Sequence, residues 1–373
     1  MNLAQHIAGR NLTTGDVARK TSIPLSRVEK IVAGDEPSLA EVKKISRAIH
    51  VPIGNLLYDE AGYRAEPPYR VLLRRTLDQR DEDVESSLEI VSSQIADILD
   101  ITRGLKKNIE WLSIFRGLLP RVEQAEEFSS IFRRAFAQLD DQEPFLFLPQ
   151  TLEELGVLVC YGRDIKIDGV SAIIEGRAII LLGARTFKPR MLFTLAHEVG
   201  HLVARHDLRN QDFAQLDQHV GHIDGTQNKD EERFADAFAA AVLMPKKGFL
   251  ISLQHIRQHY GAHGALGDIE IMTLARFFGV SFEVAARRCE TFGLLEPSGA
   301  RALYQAIVAK HKNPERRADE LELQPRAPIV IETSSFLLAE ACRRIQQEEL
   351  STGRAAELLN VPVSQLFAAN VKT

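Results

Sequence analysis

His197, Glu198 and His201 stand in the spacing H-E-x-x-H within the stretch Lys188–Val203. Residues four apart on a helix lie about 40° apart around its axis, so the two imidazoles would project side by side. Two imidazole nitrogens converging on one ion make half of a tetrahedral zinc site. Glu198 would then lie beside water activated there and can act as general base. Three fixed residues recur by chance, so the motif alone also fits two surface histidines on an amphipathic helix.

A third ligand is needed, and Lys229–Pro245 offers it. This stretch reads as a helix that stops before Pro245. Glu232 and Asp236 are four apart and share a face, so Glu232 can bind the metal while Asp236 orients a histidine. Asp230 and Glu231 rival Glu232 for that role, and an acid at a helix start is also stabilised by the helix dipole alone. Gly200, Ala235 and Ala239 are small, as two helices that share one ion require. The longer metzincin pattern does not fit: Ala204 stands where its glycine should be, and His206 comes one residue early.

Phe193–Leu202, followed by Glu232, Ala235, Asp236, Phe238, Ala239 and Leu243-Met244-Pro245, resembles the ImmA/IrrE metallopeptidases. These are bacterial and phage proteins that cleave, or relieve, helix-turn-helix repressors. The resemblance covers roughly residues 145–295. It implies His197, His201 and Glu232 as metal ligands, with Glu198 as catalytic acid/base. Arg205–Lys229, with His206, His219 and His222, is longer than the family usually carries.

The elements that must position these groups are legible around them. Leu192, Leu195, Val199, Leu202 and Val203 form one apolar stripe, with both histidines nearly opposite. Pro189 suits a first helical turn. Phe145–Leu148, Leu155–Tyr161 and Gly169–Leu182 read as short strands, the last as a hairpin just before the metal helix. An edge strand there could hold an extended substrate by backbone pairing. His206, His222 and Tyr161 are chemically suited to support an oxyanion.

Residues 1–60 read as a five-helix domain. A helix through Lys20, a turn at Thr21–Ser22 and a second helix opening at Pro24 make a helix-turn-helix, with Val17, Ala18, Ile23, Val28 and Ile31 as its core. Ser38 caps the next helix. The whole segment resembles the Cro/C1-type (XRE) repressor fold, with Ser22 in place of the usual turn glycine. Leu25, Ser26, Arg27, Glu29 and Lys30 would then meet a double-stranded DNA operator in the major groove. A protein-docking use of the same fold is the competing reading.

From Val84 to Leu112 apolar residues recur at alternating spacings of four and three, broken only by Thr102. Such a seam suits a two-chain coiled coil and hence a homodimer. The intramolecular reading packs it on the next helix, which bears Phe128, Phe132 and Leu139. Leu274–Ser281 has helix-turn-helix flavour, with its phenylalanines read as core, and Lys310–Glu322 reads as exposed. Leu350–Ser364 echoes Leu12–Ser26, with Leu, Thr, Gly, Ala, Pro and Ser in matching places. That tail either mimics the N-terminal motif and docks in or near the peptidase, or reuses the same cap-and-turn chemistry.

A net charge of −5 over 373 residues gives no global basic field, so any DNA contact must be local. Three widely spaced cysteines fit neither a disulfide framework nor a metal knuckle. No signal-like start or membrane-length apolar run is present, which predicts a cytoplasmic protein. The expected architecture is mainly α with a small β-sheet (α+β). Its segments are the helix-turn-helix at 1–60, a helical connector at 61–143, a zincin-like metallopeptidase domain at 144–300 and a helical C-terminal region at 301–373. The expected function is a DNA-binding regulator with a Zn2+-dependent (or Mn2+-dependent) endopeptidase. It would cleave a helix-turn-helix repressor, itself or a neighbour, under DNA damage or phage stress. The alternatives are a metal- or ligand-sensing repressor without turnover and an antitoxin-type interaction protein.

Overall fold

The computed structural model describes residues 3–8, 12–49, 56, 72–73, 82–105, 109–163, 166–207, 212–217 and 229–370. Among these residues helices predominate, and four strands form one sheet.

Near the N-terminus lie α1 (Leu3–Ala8), α2 (Thr14–Thr21), α3 (Leu25–Val32) and α4 (Leu39–Ala48). Thr13 and Ser38 cap α2 and α4 through reciprocal bonds with Asp16 and Glu41. Ser22 takes the left-handed conformation between α2 and α3, at φ 55°, where glycine would be free of strain. Val17, Ile23, Val28, Ile31, Val42 and Ile45 close a small core. Apart from the buried Leu56, the segment expected to hold a fifth helix lies outside the described residues.

The next helix, α5 (Glu82–Ile101), carries the expected seam. Its stripe has partners inside the chain: Leu88, Val91, Ile95 and Ile98 share a core with the sheet and the C-terminal helices. They do not pack on the helix of Phe128 and Phe132, α6 (Ala125–Phe132). The helix also ends sooner than expected. Thr102 bonds back to the Ile98 carbonyl and Gly104 turns at φ 83°, so Leu112 lands in the other core.

No strand forms at Phe145–Leu148. Phe145 is buried in a turn that leads into α7 (Leu148–Glu154), which opens with Pro149 in its first turn. After Gly156 at φ 74°, β1 begins only at Leu158 and runs to Tyr161. The expected hairpin is β2 (Gly169–Ile174) and β3 (Arg177–Leu182), joined through Glu175-Gly176, both at positive φ. A strand not anticipated, β4 (Phe213–Asp217), pairs antiparallel with β2. The sheet order is β1-β3-β2-β4.

Alternation along the strands makes two faces. Ile173 and Ile180 meet the central helix α8 (Lys188–Ala204), while Val170, Ala172, Ile179 and Leu181 meet α5 and the C-terminal helices. Every residue of α8 from Met191 to Val203 is buried, so it runs through the core rather than over it. Across it lies α9 (Lys229–Leu243), followed by α10 (Lys246–Tyr260), α11 (Asp268–Phe278), α12 (Phe282–Thr291), α13 (Gly299–His311) and α14 (Pro314–Glu320). Phe278 is core as expected, but Phe277 is 43% exposed. The charged stretch read as exposed holds α14, which buries Ala318 and is tied down by Arg276–Asp319 and Arg326–Glu315 ion pairs.

The tail forms α15 (Ser335–Gln346), α16 (Thr352–Leu359) and α17 (Val363–Asn370). Helices α16 and α17 begin and end at the positions that match α2 and α3 in the sequence echo. Ser351 caps as Thr13 does, and Asn360 takes the left-handed place of Ser22 at φ 53°. This second helix-turn-helix docks on the sheet face away from α8, through Ala355, Leu358, Leu359 and Leu366. Asn360 donates to the Gly162 carbonyl there. Among the described residues no helix is long and apolar enough to cross a membrane.

Candidate metal centre

Helix α8 presents His197 and His201 toward α9, and their Nε2 atoms lie 3.0 Å apart. Gly200 lets α9 come close: a Cβ built there would stand 2.9 Å from the Cα of Ala235. At that distance Glu232 reaches both imidazoles, with its carboxylate 3.5 Å from His197 Nε2 and 3.6 Å from His201 Nε2. Asp236 accepts from His197 Nδ1 at 2.8 Å, which leaves the Nε2 lone pair aimed at the cluster. The rivals fall away. Glu231 pairs with Arg205 instead, and Asp230 is exposed.

One member was not anticipated. Asp217, the last residue of β4, is 5% exposed and places Oδ2 3.3 Å from His201 Nε2 and 3.7 Å from His197 Nε2. One donor atom each from His197, His201, Asp217 and Glu232 lies within 4.8 Å of the others. Asp217 sits in the 205–229 stretch that is longer than the resembled family usually carries, and the sequence pattern around it is a short alternation over Ala214–Asp217. Phe213, Gln215 and Asp217 turn toward the helices, with Gln215 donating to Glu232 at 2.6 Å. Ala214 and Leu216 turn to the other core.

The donor set fits a divalent cation. Asp217 Oδ2 is buried without a hydrogen-bond donor, an arrangement that costs free energy unless a cation faces it. Burial works against charge on His197, yet the carboxylates of Asp236, Glu232 and Asp217 raise its pKa well above the usual imidazole range. Burial likewise opposes ionisation of Asp217, but His201 and His197 hold its carboxyl below the usual range. Both shifts follow from imidazoles and carboxylates packed within reach of one another. Two imidazoles and two carboxylates are borderline-to-hard donors suited to Zn2+ or Mn2+.

Glu198 lies fully buried, one residue from His197, with neither carboxylate oxygen hydrogen-bonded. It lies against the start of β2, where a Cβ on Gly169 would stand 2.0 Å from Oε1. Burial, and then the nearby Asp217 charge, push its pKa well above the carboxylate range. That suits a group that must carry a proton for part of a cycle.

Two of the three oxyanion candidates have other partners. Tyr161 donates its hydroxyl to the Ile331 carbonyl, and His206 is buried beside Phe115 and Phe128, bonded to the Val203 carbonyl. His222 and His219 lie outside the described residues. A cavity of about 700 Å³ adjoins the cluster through Asp236 and mixes apolar walls with charged ones of both signs, among them Phe193, Phe282, Arg190, Arg233 and Glu283.

On α3, Leu25, Ser26, Glu29 and Lys30 are exposed. Arg27 is engaged within the fold: it binds Glu41 at 2.8 Å and the Glu36 carbonyl at 2.9 Å. Its lengthy side chain is better used here to tie α3 to α4.

No curated protein matches the chain. Residues 152–290, which run from within α7 to within α12 and include every member of the cluster, match the family model described as the IrrE N-terminal-like domain (Peptidase_M78). This segment is therefore a metallopeptidase-like domain of that type, set between helical regions that the model does not cover.

Proposed function

We propose that this chain is a DNA-binding transcriptional regulator whose 152–290 segment is a zinc-dependent endopeptidase acting on a helix-turn-helix repressor, itself or a neighbour. The observation that carries the reading is the convergence of His197, His201 and Glu232 beside an unpartnered, buried Glu198.

His197, His201 and Glu232 would hold the ion, with Asp236 fixing the His197 tautomer. A Zn2+ bound there supplies Lewis-acid chemistry, lowering the pKa of water and polarising a peptide carbonyl. Glu198 accepts the proton of the attacking water and returns it to the leaving amide nitrogen. The adjoining cavity, with apolar and charged walls, suits side chains flanking the cleaved bond. Leu25, Ser26, Glu29 and Lys30 on α3 would face the major groove, with Arg27 bracing the helix behind them.

The test is intact-mass analysis of Zn2+-loaded wild type and Glu198→Gln, each incubated with duplex or single-stranded DNA and with candidate helix-turn-helix repressors. Fragments in the wild type alone are expected. The same uncut masses in both proteins, from a wild type shown to hold zinc, would refute hydrolysis of the chain itself and of these repressors and favour a metal-sensing regulator.

A further inference from the structure

We infer that Asp217 is a fourth protein ligand to the metal, delivered by a strand of the chain's own that occupies the substrate's place on β2. The inference rests on the metal-centre reading above and adds to it the state in which the site is held.

Two independent features carry it. The first is the aspartate itself: 5% exposed, its Oδ2 without a hydrogen-bond donor, and within 3.7 Å of both imidazole Nε2 atoms. The second is how it arrives. Without β4, β2 would be the outer strand of the sheet beside the metal helix, the edge on which an extended peptide adds by backbone pairing. Residues Phe213–Asp217 take that edge antiparallel, from Phe213 opposite Ile173 to Asp217 opposite Gly169. The Asp168 amide extends the ladder by donating to the Asp217 carbonyl at 3.0 Å. Gly169 is also the residue against which Glu198 rests. The strand therefore ends at the reacting centre, as a bound substrate would, but with a carboxylate where a peptide carbonyl would be. Gln215, two residues earlier on the same face, binds Glu232 and locks the third ligand in the same stroke.

Hydrolytic zinc sites keep one position open, whereas four protein donors close a tetrahedral ion. With Asp217 engaged, the centre is latent, and opening requires β4 to leave β2. A protein partner or an extended peptide that competes for the β2 edge would displace both the strand and the ligand.

The test uses the full chain and reads metal binding. Zn2+ affinity is measured by competition with a chromogenic chelator, and the Co2+-substituted protein is titrated with acetohydroxamate while its visible spectrum is followed. Wild-type Co2+ protein should not respond to the hydroxamate. Asp217→Asn should lose roughly tenfold or more in Zn2+ affinity, and its Co2+ spectrum should shift on hydroxamate addition. Asp217→His, which restores a donor, should regain affinity and stay unresponsive; it also serves if Asp217→Asn fails to fold. A wild-type spectrum that shifts with hydroxamate, or an Asp217→Asn protein with unchanged affinity, would overturn the proposal while leaving the three-ligand reading intact. A wild type that binds neither ion would overturn that reading and this one together.

Discussion

Gly200 and Ala235 bring the two helices of the cluster to backbone contact: a Cβ on Gly200 would stand 2.9 Å from the Ala235 Cα and 3.2 Å from its carbonyl oxygen. The neighbour there is backbone, so it cannot swing aside. Two effects compete in Gly200→Ala. Alanine gains about 1 kcal/mol of helix propensity, while overpacking costs about 1–3 kcal/mol. Net stability should fall by up to about 2 kcal/mol, and α8 and α9 must separate, and with them His197, His201 and Glu232. Zinc affinity should therefore drop far more than the melting temperature. Unchanged affinity in a chelator competition would show that this contact does not set the ligand spacing.

How much of this was legible in the sequence depends on where each element's partners lie. Helix α8 announces itself through Pro189, its stripe and its histidine spacing, all local signals. The β2–β3 hairpin is equally local, with Glu175-Gly176 between alternating runs. Strand β4 is different. Its five residues are held by pairing with β2, some forty positions earlier by register, so Asp217 has no local signature as a cluster member. The helix of the seam was legible, but its partner was not. A period of 3.5 states that a stripe will be covered, not whether a second copy or a sheet covers it. Thr102 and Gly104 then end α5 before the repeat does.

That partner gives a prediction. Ile95 is fully buried among sheet and tail residues, so Ile95→Ala should cost about 2–5 kcal/mol. If the seam instead joined two copies, the same change would alter mass in solution. Denaturant unfolding and light scattering together separate the outcomes: lower stability at constant mass is expected.

Helix α9 ends without a basic residue in its last turn, and two distant arginines supply what it lacks. Fully buried Arg133 donates to the Val242 carbonyl at 2.9 Å and to that of Glu143 at 2.8 Å, while Arg288 donates to the Met244 carbonyl. Burial lowers the Arg133 pKa to about 10, so it stays charged at neutral pH. Arg133→Met keeps the bulk but strands the buried Val242 carbonyl and the partly buried one of Glu143, at about 1–3 kcal/mol each. A loss of roughly 3 kcal/mol or more is expected, and a melting temperature within a degree or two of wild type would contradict the capping role.

In the N-terminal helices the pH dependence has a definite sign. The Arg27 guanidinium, helped by the Ser38 amide and hydroxyl, holds the half-buried Glu41 carboxyl at about 2, below its ordinary 4.5. A carboxyl lowered on folding stabilises the fold fully above its unfolded value, and that contribution is lost as pH falls from 4.5 toward 2. Hydrogen exchange of peptides within residues 12–49, corrected for intrinsic rates, should show protection falling through that window. Glu41→Gln should start less protected and lose the dependence.

The same ion pair separates two roles on α3. Lys30 is exposed on the outward face, whereas Arg27 is committed to Glu41 and the Glu36 carbonyl. If α3 lies in the major groove, Lys30→Ala removes a cation from the DNA face and leaves the fold alone. Binding should weaken, and if the lost contact is to phosphate the log–log salt slope should shrink by about 1. Arg27→Ala acts on the scaffold: protection of residues 12–49 should fall, and DNA affinity should recover when the domain is restabilised by lower temperature or osmolyte. Titrations of operator duplex across a salt series, paired with hydrogen exchange, check both. Arg27→Ala losing affinity with exchange unchanged would make Arg27 a base reader after all. A Lys30→Ala protein with wild-type affinity would remove α3's outward face from the interface.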